Sequence, residues 1–472
     1  MTDTDDAPTA SGWGGPPELS AWEALMWRAD GDPRTRSTGV LLERLGGEPD
    51  WERLRAAMAR LVTRLPRLRD RVVEPPLPLV TPRWSPDPHF DLDHHLRRVR
   101  LPGDGSEREL FAHLGAEMAR PIDRHRPPWE ATLVTGLADG SAALAFKVHH
   151  CLSDGLGLIQ LLALAHEGSS DGDVTHAVAV PEAHDDPATP AQVLTEGLRS
   201  GLSEAPGALA EVTGGAARAL WSGVADPVGS GRQVLAYVSS LGRMLTPPPV
   251  GRTFVGGGVG YAAVAHDVPL ARLRAAGKAA GGSVNDAFLA AVLGTFRRFH
   301  ALSGPVPDEL PLAFPISTRG PDDPEGGNKF SGVRFAAPLA ERDPAVRIAR
   351  IREFVRAVRT EPALEFLGVV APVIGMLPEA ALTELSATLT ASTDVQASNI
   401  PGLDHAVELA GVPVTGIYPL GPRPGIAAMV TMLTYDGTGC LGVTLDPDVV
   451  PDTAAFAQCL REGVDEVLAL AP

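Results

Sequence analysis

Residues 147–155 read Lys147-Val148-His149-His150-Cys151-Leu152-Ser153-Asp154-Gly155, and this string organises the whole chain. It contains HHxxxDG between a strand-like run, Ala142–Val148 (AALAFKV), and an apolar helix-like run, Leu156–Leu164. The local order is therefore strand, loop, helix. Residue frequencies alone produce the pattern in roughly three of a thousand such chains, so it carries far more information than a lone glycine motif. A histidine at a strand end, held by packing and a turn, can take a proton from an attacking hydroxyl or amine. Adjacent residues of an extended segment point to opposite sides, so one imidazole of the pair faces any given channel. We take His150 as the general base and His149 as its packed support. Asp154 either orients the imidazole or turns away to pair with an arginine and fix the loop, and the second role is preferred. Gly155 supplies a positive φ or a close approach where the helix begins. The plain alternative is a structural histidine pair followed by an Asp helix cap.

Working outward, Glu130–Val134 (EATLV) reads as a second buried strand, with Gly136–Ser141 as the hairpin turn to the first. Upstream, Trp51, Leu54, Met58, Leu61, Val62 and Leu65 recur at helical spacing with arginines on the other faces, the pattern of an amphipathic surface helix. Residues 1–17 are rich in Asp, Gly, Pro and Ser and read as a disordered lead-in. Residues 18–190 then form an N-terminal domain carrying the motif. Residues 191–250 are a weakly polar, Ala/Gly/Leu-rich connector, helical and packed on the body or acting as a lid against lipid; whether 192–245 touches a membrane stays open. Residues 251–472 restart the rhythm with the strand-like Tyr261–Pro269, a helix over Val284–Phe299 and further strand-like pieces. The fold class is α/β (α+β) in two similar-sized halves.

Composition limits the function. The 472 residues are 44% hydrophobic and 21% charged, ordinary for globular cores. Asp and Glu (58) exceed Lys and Arg (41), and a formal charge of -17 gives no global attraction to phosphate backbones, which argues against nucleic acid as a partner. Three cysteines, Cys151, Cys440 and Cys459, build no disulfide framework and fit a reducing, cytoplasmic compartment. No stretch approaches the ~20 apolar residues that span a bilayer, so membrane or lipid-droplet contact would be peripheral. The arginines of residues 53–71 are candidates for a local basic patch against an anionic surface. His89, Asp91, Asp93, His94 and His95 cluster in sequence without a usual zinc spacing, so no metal is assigned. Cys151 lies beside His150, but adjacent residues rarely meet side chain to side chain, which disfavours a Cys/His nucleophile. Gly256, Gly257, Gly258 and Gly260 do not make a phosphate loop and read as a flexible turn.

Other strings recur with HHxxxDG in a consistent order: Phe90–Pro102 (FDLDHHLRRVRLP), Pro121–Glu130 (PIDRHRPPWE), Ser283–Ala290 (SVNDAFLA), Pro315–Arg319 (PISTR), Gly327-Asn328, Ser398–Gly402 (SNIPG) and Tyr435–Asp452. With these the chain resembles, from about Leu19 to Leu470, the bacterial wax ester synthase/acyl-CoA:diacylglycerol acyltransferase family. That family lies within the CoA-dependent acyltransferase superfamily, which also holds peptide-synthetase condensation domains. The resemblance implies two chloramphenicol-acetyltransferase-like domains as a pseudo-dimer, with His150 in a tunnel between them. Acyl-CoA enters as substrate from one mouth and a hydroxyl acceptor, diacylglycerol or a fatty alcohol, from the other, with no cofactor and no covalent acyl-enzyme. It also implies Asn285 as a site residue, against a plain capping box of Ser283 and Asp286. Arg319 is proposed as the partner that fixes Asp154, and Ser398 and Asn399 as polar groups of the tunnel wall, although SNIPG is also a good turn. Two departures bear on specificity: Pro127-Pro128-Trp129 replaces Pro-Leu-Trp, with Trp129 read as core, and residues 254–261 read FVGGGVGY. Alternative functions are acylation of a soluble specialised metabolite, a condensation-like transfer from a carrier-bound donor, and a non-catalytic lipid carrier.

Overall fold

The computed structural model describes residues 13, 15–166, 186–200, 254, 256–317, 330–359 and 393–472. In chain order, the first half contributes β1 (Thr38–Leu45), β2 (Asp70–Val73), β3 (Arg83–Pro86), β4 (Leu96–Arg100), β5 (Trp129–Thr135) and β6 (Ala142–His149). The second contributes β7 (Ala262–Pro269), β8 (Glu309–Ser317), β9 (Phe330–Pro338), β10 (Val395–Leu403), β11 (Glu408–Leu409), β12 (Val412–Leu420), β13 (Ala428–Tyr435) and β14 (Thr438–Leu445). They build two mixed six-stranded sheets, ordered β11-β12-β1-β6-β5-β4 and β7-β14-β13-β10-β8-β9, with β2 and β3 paired apart.

The local elements follow from local chemistry. The helix Trp51–Arg64 starts at Asp50, whose carboxylate accepts from the Arg53 N–H at 3.0 Å, and buries Leu54, Met58, Leu61 and Val62. Between β5 and β6 the chain reverses with Gly136 and Gly140 at positive φ, as the hairpin reading requires. The helix Val284–Ala301 is buried almost all round over Asp286–Phe296 because Thr453–Leu468 crosses it closely. Gly463 permits that crossing: a Cβ there would lie 2.6 Å from the Thr295 amide nitrogen.

Two expectations about organisation need correction. Trp13 and residues 15–17 are not a free lead-in: Trp13 is buried and donates to the Gly157 carbonyl, and Arg67 donates to the carbonyls of Gly15 and Pro16. Burying one indole outweighs the polar composition around it. Nor is the first sheet confined to the first half. β11 and β12, from within residues 251–472, pair into it through β12 against β1, from Val40 opposite Leu420 to Leu45 opposite Val414. β12 thereby sits against β13 and β14 of the second sheet, and Gly442 lies directly under the Pro419 carbonyl, leaving no room for a side chain. The first core accordingly runs on into Leu433, Tyr435 and Cys440. Most of the connector 191–250 lies outside the described residues; its residues 191–200 are helical.

Candidate active site

The end of β6 sets the site. His149 is the last residue in register, opposite Thr38 of β1, and its N–H donates to the Pro128 carbonyl at 3.0 Å. The His150 N–H donates to the Ser37 carbonyl at 2.8 Å, and a turn follows with Leu152 N–H on the His149 carbonyl. The strand's alternation places the two imidazoles on opposite sides. His149 is 1% exposed and packs edge-on against Trp27. Its Nδ1 accepts the Cys151 N–H at 3.0 Å, which assigns the ring proton to Nε2, and Nε2 faces Asp30 Oδ1 at 3.4 Å. Asp30 Oδ1 also accepts the Ser37 N–H at 2.9 Å. Burial opposes ionisation of Asp30, but His149, the Ser37 amide and Arg36 together hold its carboxyl below the usual range.

His150 is half-buried and lines a cavity of about 300 Å³ between the two sheets. The motif contributes His150, Ser153, Asp154, Gly155 and Leu158; β1 and residues 419–422 form one wall, and β8, β10 and β13 the other. Asp154 is buried, with Oδ1 accepting the Gly157 N–H at 2.9 Å, so it caps the helix Gly155–His166. Gly155 is not at positive φ; it makes a close approach, since a Cβ there would lie 2.5 Å from Ile400 Cδ1 and that side chain would have to shift. Ser398 and Asn399 line the same cavity from within β10. SNIPG is thus not a turn but a strand with a register shift after Ile400, because Ser398 and Asn399 pair in parallel with Thr431 and Met432.

Other expected residues lie elsewhere. Asn285 is not among the described cavity residues; it sits in the first turn of Val284–Ala301, where Ser283 and Asp286 make the reciprocal capping box. Asp286 is buried and also faces Arg352 at 3.6 Å. Arg319 and Gly327-Asn328 lie outside the described residues. Cys151 is fully buried, and burial raises its thiol well above its ordinary pKa, which disables it as a nucleophile. His95 stacks between Phe90 and Trp129 and bonds the Trp129 carbonyl at 2.7 Å, while Asp93 pairs with Arg55, so this cluster is dispersed into packing. Trp129 is core, at 0% exposure, with its indole donating to the Leu68 carbonyl.

The glycine-rich stretch is a pinned loop rather than a flexible turn. The amides of Gly257 and Gly258 donate to Asp446 Oδ2 at 3.0 and 2.9 Å, and Arg423 bridges Asp446 to the carbonyls of Gly258 and Gly260. An internal carboxylate occupies the place an external anion would need. A larger cavity, about 640 Å³, lies beside β2 and β3 and holds no residue of the motif; Arg67 there is spent on backbone carbonyls and Trp84, and Arg83 on Glu196. Of the arginines of residues 53–71, Arg55 pairs with Asp93 and Arg67 with Asp70.

Sequence reasoning did not single out three groups of the site. Asp30 comes from the end of the helix Ala21–Ala29, 119 residues from its histidine. Gln396 could have been found from its period-2 spacing to Ser398. Thr431 reaches the cavity only through the pairing of β13 with β10.

A model of the wax ester synthase/diacylglycerol acyltransferase catalytic domain matches residues 19–288, and a model of the C-terminal domain of the same family matches residues 326–467. A Mycobacterium tuberculosis (strain H37Rv) protein named "Putative diacyglycerol O-acyltransferase Rv2484c" is 38% identical over 96% of this chain and 92% of its own length. Another from the same strain, named "Probable diacyglycerol O-acyltransferase tgs1", is 28% identical over 92% of this chain and 91% of its own length. Among solved structures, the wax ester synthase/diacylglycerol acyltransferase from Marinobacter aquaeolei VT8 superposes with a TM-score of 0.62 at 20% identity, covering 96% of this chain and 99% of that one. The first condensation domain of the CDA synthetase superposes at 0.57 and 16% identity, covering 96% of each chain, which extends the shared fold to condensation domains. With both family models matched in order over most of its length, this chain belongs to the wax ester synthase/diacylglycerol acyltransferase family and is an acyltransferase.

Proposed function

We propose that the chain transfers a fatty acyl group from acyl-CoA to the hydroxyl of a diacylglycerol or long-chain alcohol, with His150 as general base. One observation carries this: His150 projects from the end of β6 into a largely apolar cavity walled by both sheets, where a lipid hydroxyl and an acyl thioester can meet out of water. The imidazole takes the acceptor's proton as its oxygen attacks the thioester carbon. The tetrahedral intermediate collapses, the C–S bond breaks, and the departing CoA sulfur receives that proton from His150. No acyl group is held on the protein.

His149 and Asp30 support this from behind by fixing the strand end, and Asp154 and Gly155 fix the helix that closes the cavity. Pairing of Arg319 with Asp154 is part of the same reading. No helix among the described residues is long and apolar enough to cross a membrane, so approach to a lipid acceptor is peripheral in this proposal, on the cytoplasmic face. The names of the mycobacterial relatives favour diacylglycerol among acceptors.

The test is CoA release by purified protein with palmitoyl-CoA and either hexadecanol or dioleoylglycerol, beside His150→Ala. Loss of a general base lowers the rate by roughly 10²–10⁴-fold. Ester formation by a His150→Ala protein at the wild-type rate would refute the assignment. Turnover with a carrier-bound donor alone would move the chain to condensation-type chemistry.

A further inference from the structure

The cavity that His150 lines also carries, in its β10–β13 wall, polar groups whose side chains have no hydrogen-bond partner among the described residues. Parallel pairing of β10 with β13 sets Gln396 beside Met429 and Ser398 beside Thr431. Residues two apart on a strand share a face, so Gln396, Ser398 and Thr431 form a short ladder toward the cavity, which all three line. Thr431 is 2% exposed, and its hydroxyl has no hydrogen-bond partner among the described residues. Gln396 and Ser398 are half-buried, and among the described residues their side chains make no hydrogen bond. Gly421, in the facing wall, packs against this group: a Cβ there would lie 3.3 Å from the Thr431 Oγ1 and 2.8 Å from Met429 Cγ.

Buried polar groups in folded proteins are nearly always satisfied, so an unpaired set around a ligand cavity marks where the ligand supplies the partner. Gln396 offers two N–H donors, and each hydroxyl one more. A straight-chain alcohol brings a single oxygen, which donates its proton to His150 and lies too close to the base to serve the whole ladder as acceptor. An acylglycerol brings more acceptors: in a 1,2-diacylglycerol one ester sits on the carbon next to the one bearing the free hydroxyl and the second ester one carbon further, and their carbonyl oxygens accept what the ladder donates. We propose that Gln396, Ser398 and Thr431 receive the ester carbonyls of the acceptor, making the chain selective for acceptors that carry carbonyls beside the reacting hydroxyl. This rests on the acyl-transfer reading and narrows its acceptor. The thioester and amide carbonyls of acyl-CoA share the same chemistry, so the experiment separates the two sources.

The probe is a pair of equal shape: 1,2-dioleoylglycerol and its 1,2-dialkyl ether counterpart, which lacks both carbonyls, each compared with hexadecanol under palmitoyl-CoA. Wild type should prefer the ester over the ether by about ten- to a hundredfold in kcat/KM, the effect of stranding a buried donor. Thr431→Val and Gln396→Met should each narrow that ratio by about two- to fivefold, and Thr431→Val should leave the melting temperature at or above wild type, since it removes a hydroxyl with no hydrogen-bond partner among the described residues. Equal use of ester and ether by wild type overturns the proposal. So does a uniform fall with all three acceptors accompanied by a raised KM for palmitoyl-CoA, which would assign the ladder to the donor. Thermal shifts with dioctanoylglycerol and dioctyl ether glycerol, without acyl-CoA, decide independently of turnover. Stabilisation by the ester alone upholds the ladder even if transfer fails, and equal shifts refute it.

Discussion

Replacing Asp30 tests how the two histidines are held. Its Oδ1 accepts the Ser37 N–H at 2.9 Å and faces the His149 Nε2 at 3.4 Å, in a site where Asp30 is 8% exposed. Asp30→Ala strands the buried Ser37 N–H and removes the carboxylate facing His149, and a buried unpaired donor costs about 1–3 kcal/mol, so the loss is at least of that order. That is a large share of the ~5–15 kcal/mol that holds a typical domain. The same deletion frees the Ser37 peptide, whose carbonyl receives the His150 N–H at 2.8 Å. A displacement of about 1 Å at the base lowers turnover by roughly a hundredfold. Asp30→Asn keeps an acceptor oxygen in place and should lose ~1 kcal/mol or less. The carboxyl's pKa is lowered on folding, so its stabilisation is complete above the unfolded value and lost only as pH falls through the folded one; measurements near neutrality see all of it. The assay is a urea unfolding midpoint paired with initial CoA-release rates, and ¹⁵N shifts of His149 report whether the proton stays on Nε2. Wild-type midpoint and turnover in Asp30→Ala would show that the carboxylate does not position the pair.

His95 supplies a pH dependence. Burial lowers its pKa from 6.5 to about 4, so its stabilising neutral form is complete above 6.5 and stability falls as pH drops from 6.5 toward 4, where the unfolded chain takes the proton first. Up to ~3 kcal/mol is at stake, and His95→Phe, keeping the stack on Trp129, should flatten that limb in pH-stepped urea unfolding; parallel curves for variant and wild type would rule this out. At Gly155, a Cβ would press on Ile400 Cδ1 from 2.5 Å, so Gly155→Ala should cost about 1–3 kcal/mol and raise the acceptor KM by pushing Ile400 into the cavity. Adding Ile400→Val should recover part of both effects, and strict additivity in the double-mutant cycle would break the argument.

The local elements around the motif could be read directly. β6, the hairpin before it, the helix from Trp51 and the helix from Val284 each announce themselves through period-2 or period-3.6 patterning and turn residues, which depend only on neighbours along the chain. The opposition of His149 and His150 followed from strand alternation alone, and the structure shows one buried and one at the cavity. Family and reaction class came from motif strings in order. Asn285 could not be decided this way, because a residue at a capped helix start looks the same in sequence whether or not that start faces a cavity.

Long-range pairing decided the rest. Nothing in residues 408–420 tells that they join the first sheet, because a strand's own pattern says which faces it buries but not beside which strand it lies. Trp13 escaped a compositional reading because one indole in a pocket outweighs a polar stretch. Asp30 meets His149, and Thr431 meets Ser398, only after helix and strands have packed. Periodicity along this chain therefore determined its elements and the direction each histidine faces. The tertiary structure alone determined which carboxylate faces one histidine and which hydroxyls share a cavity with the other, since both depend on contacts between segments that carry no shared local signal.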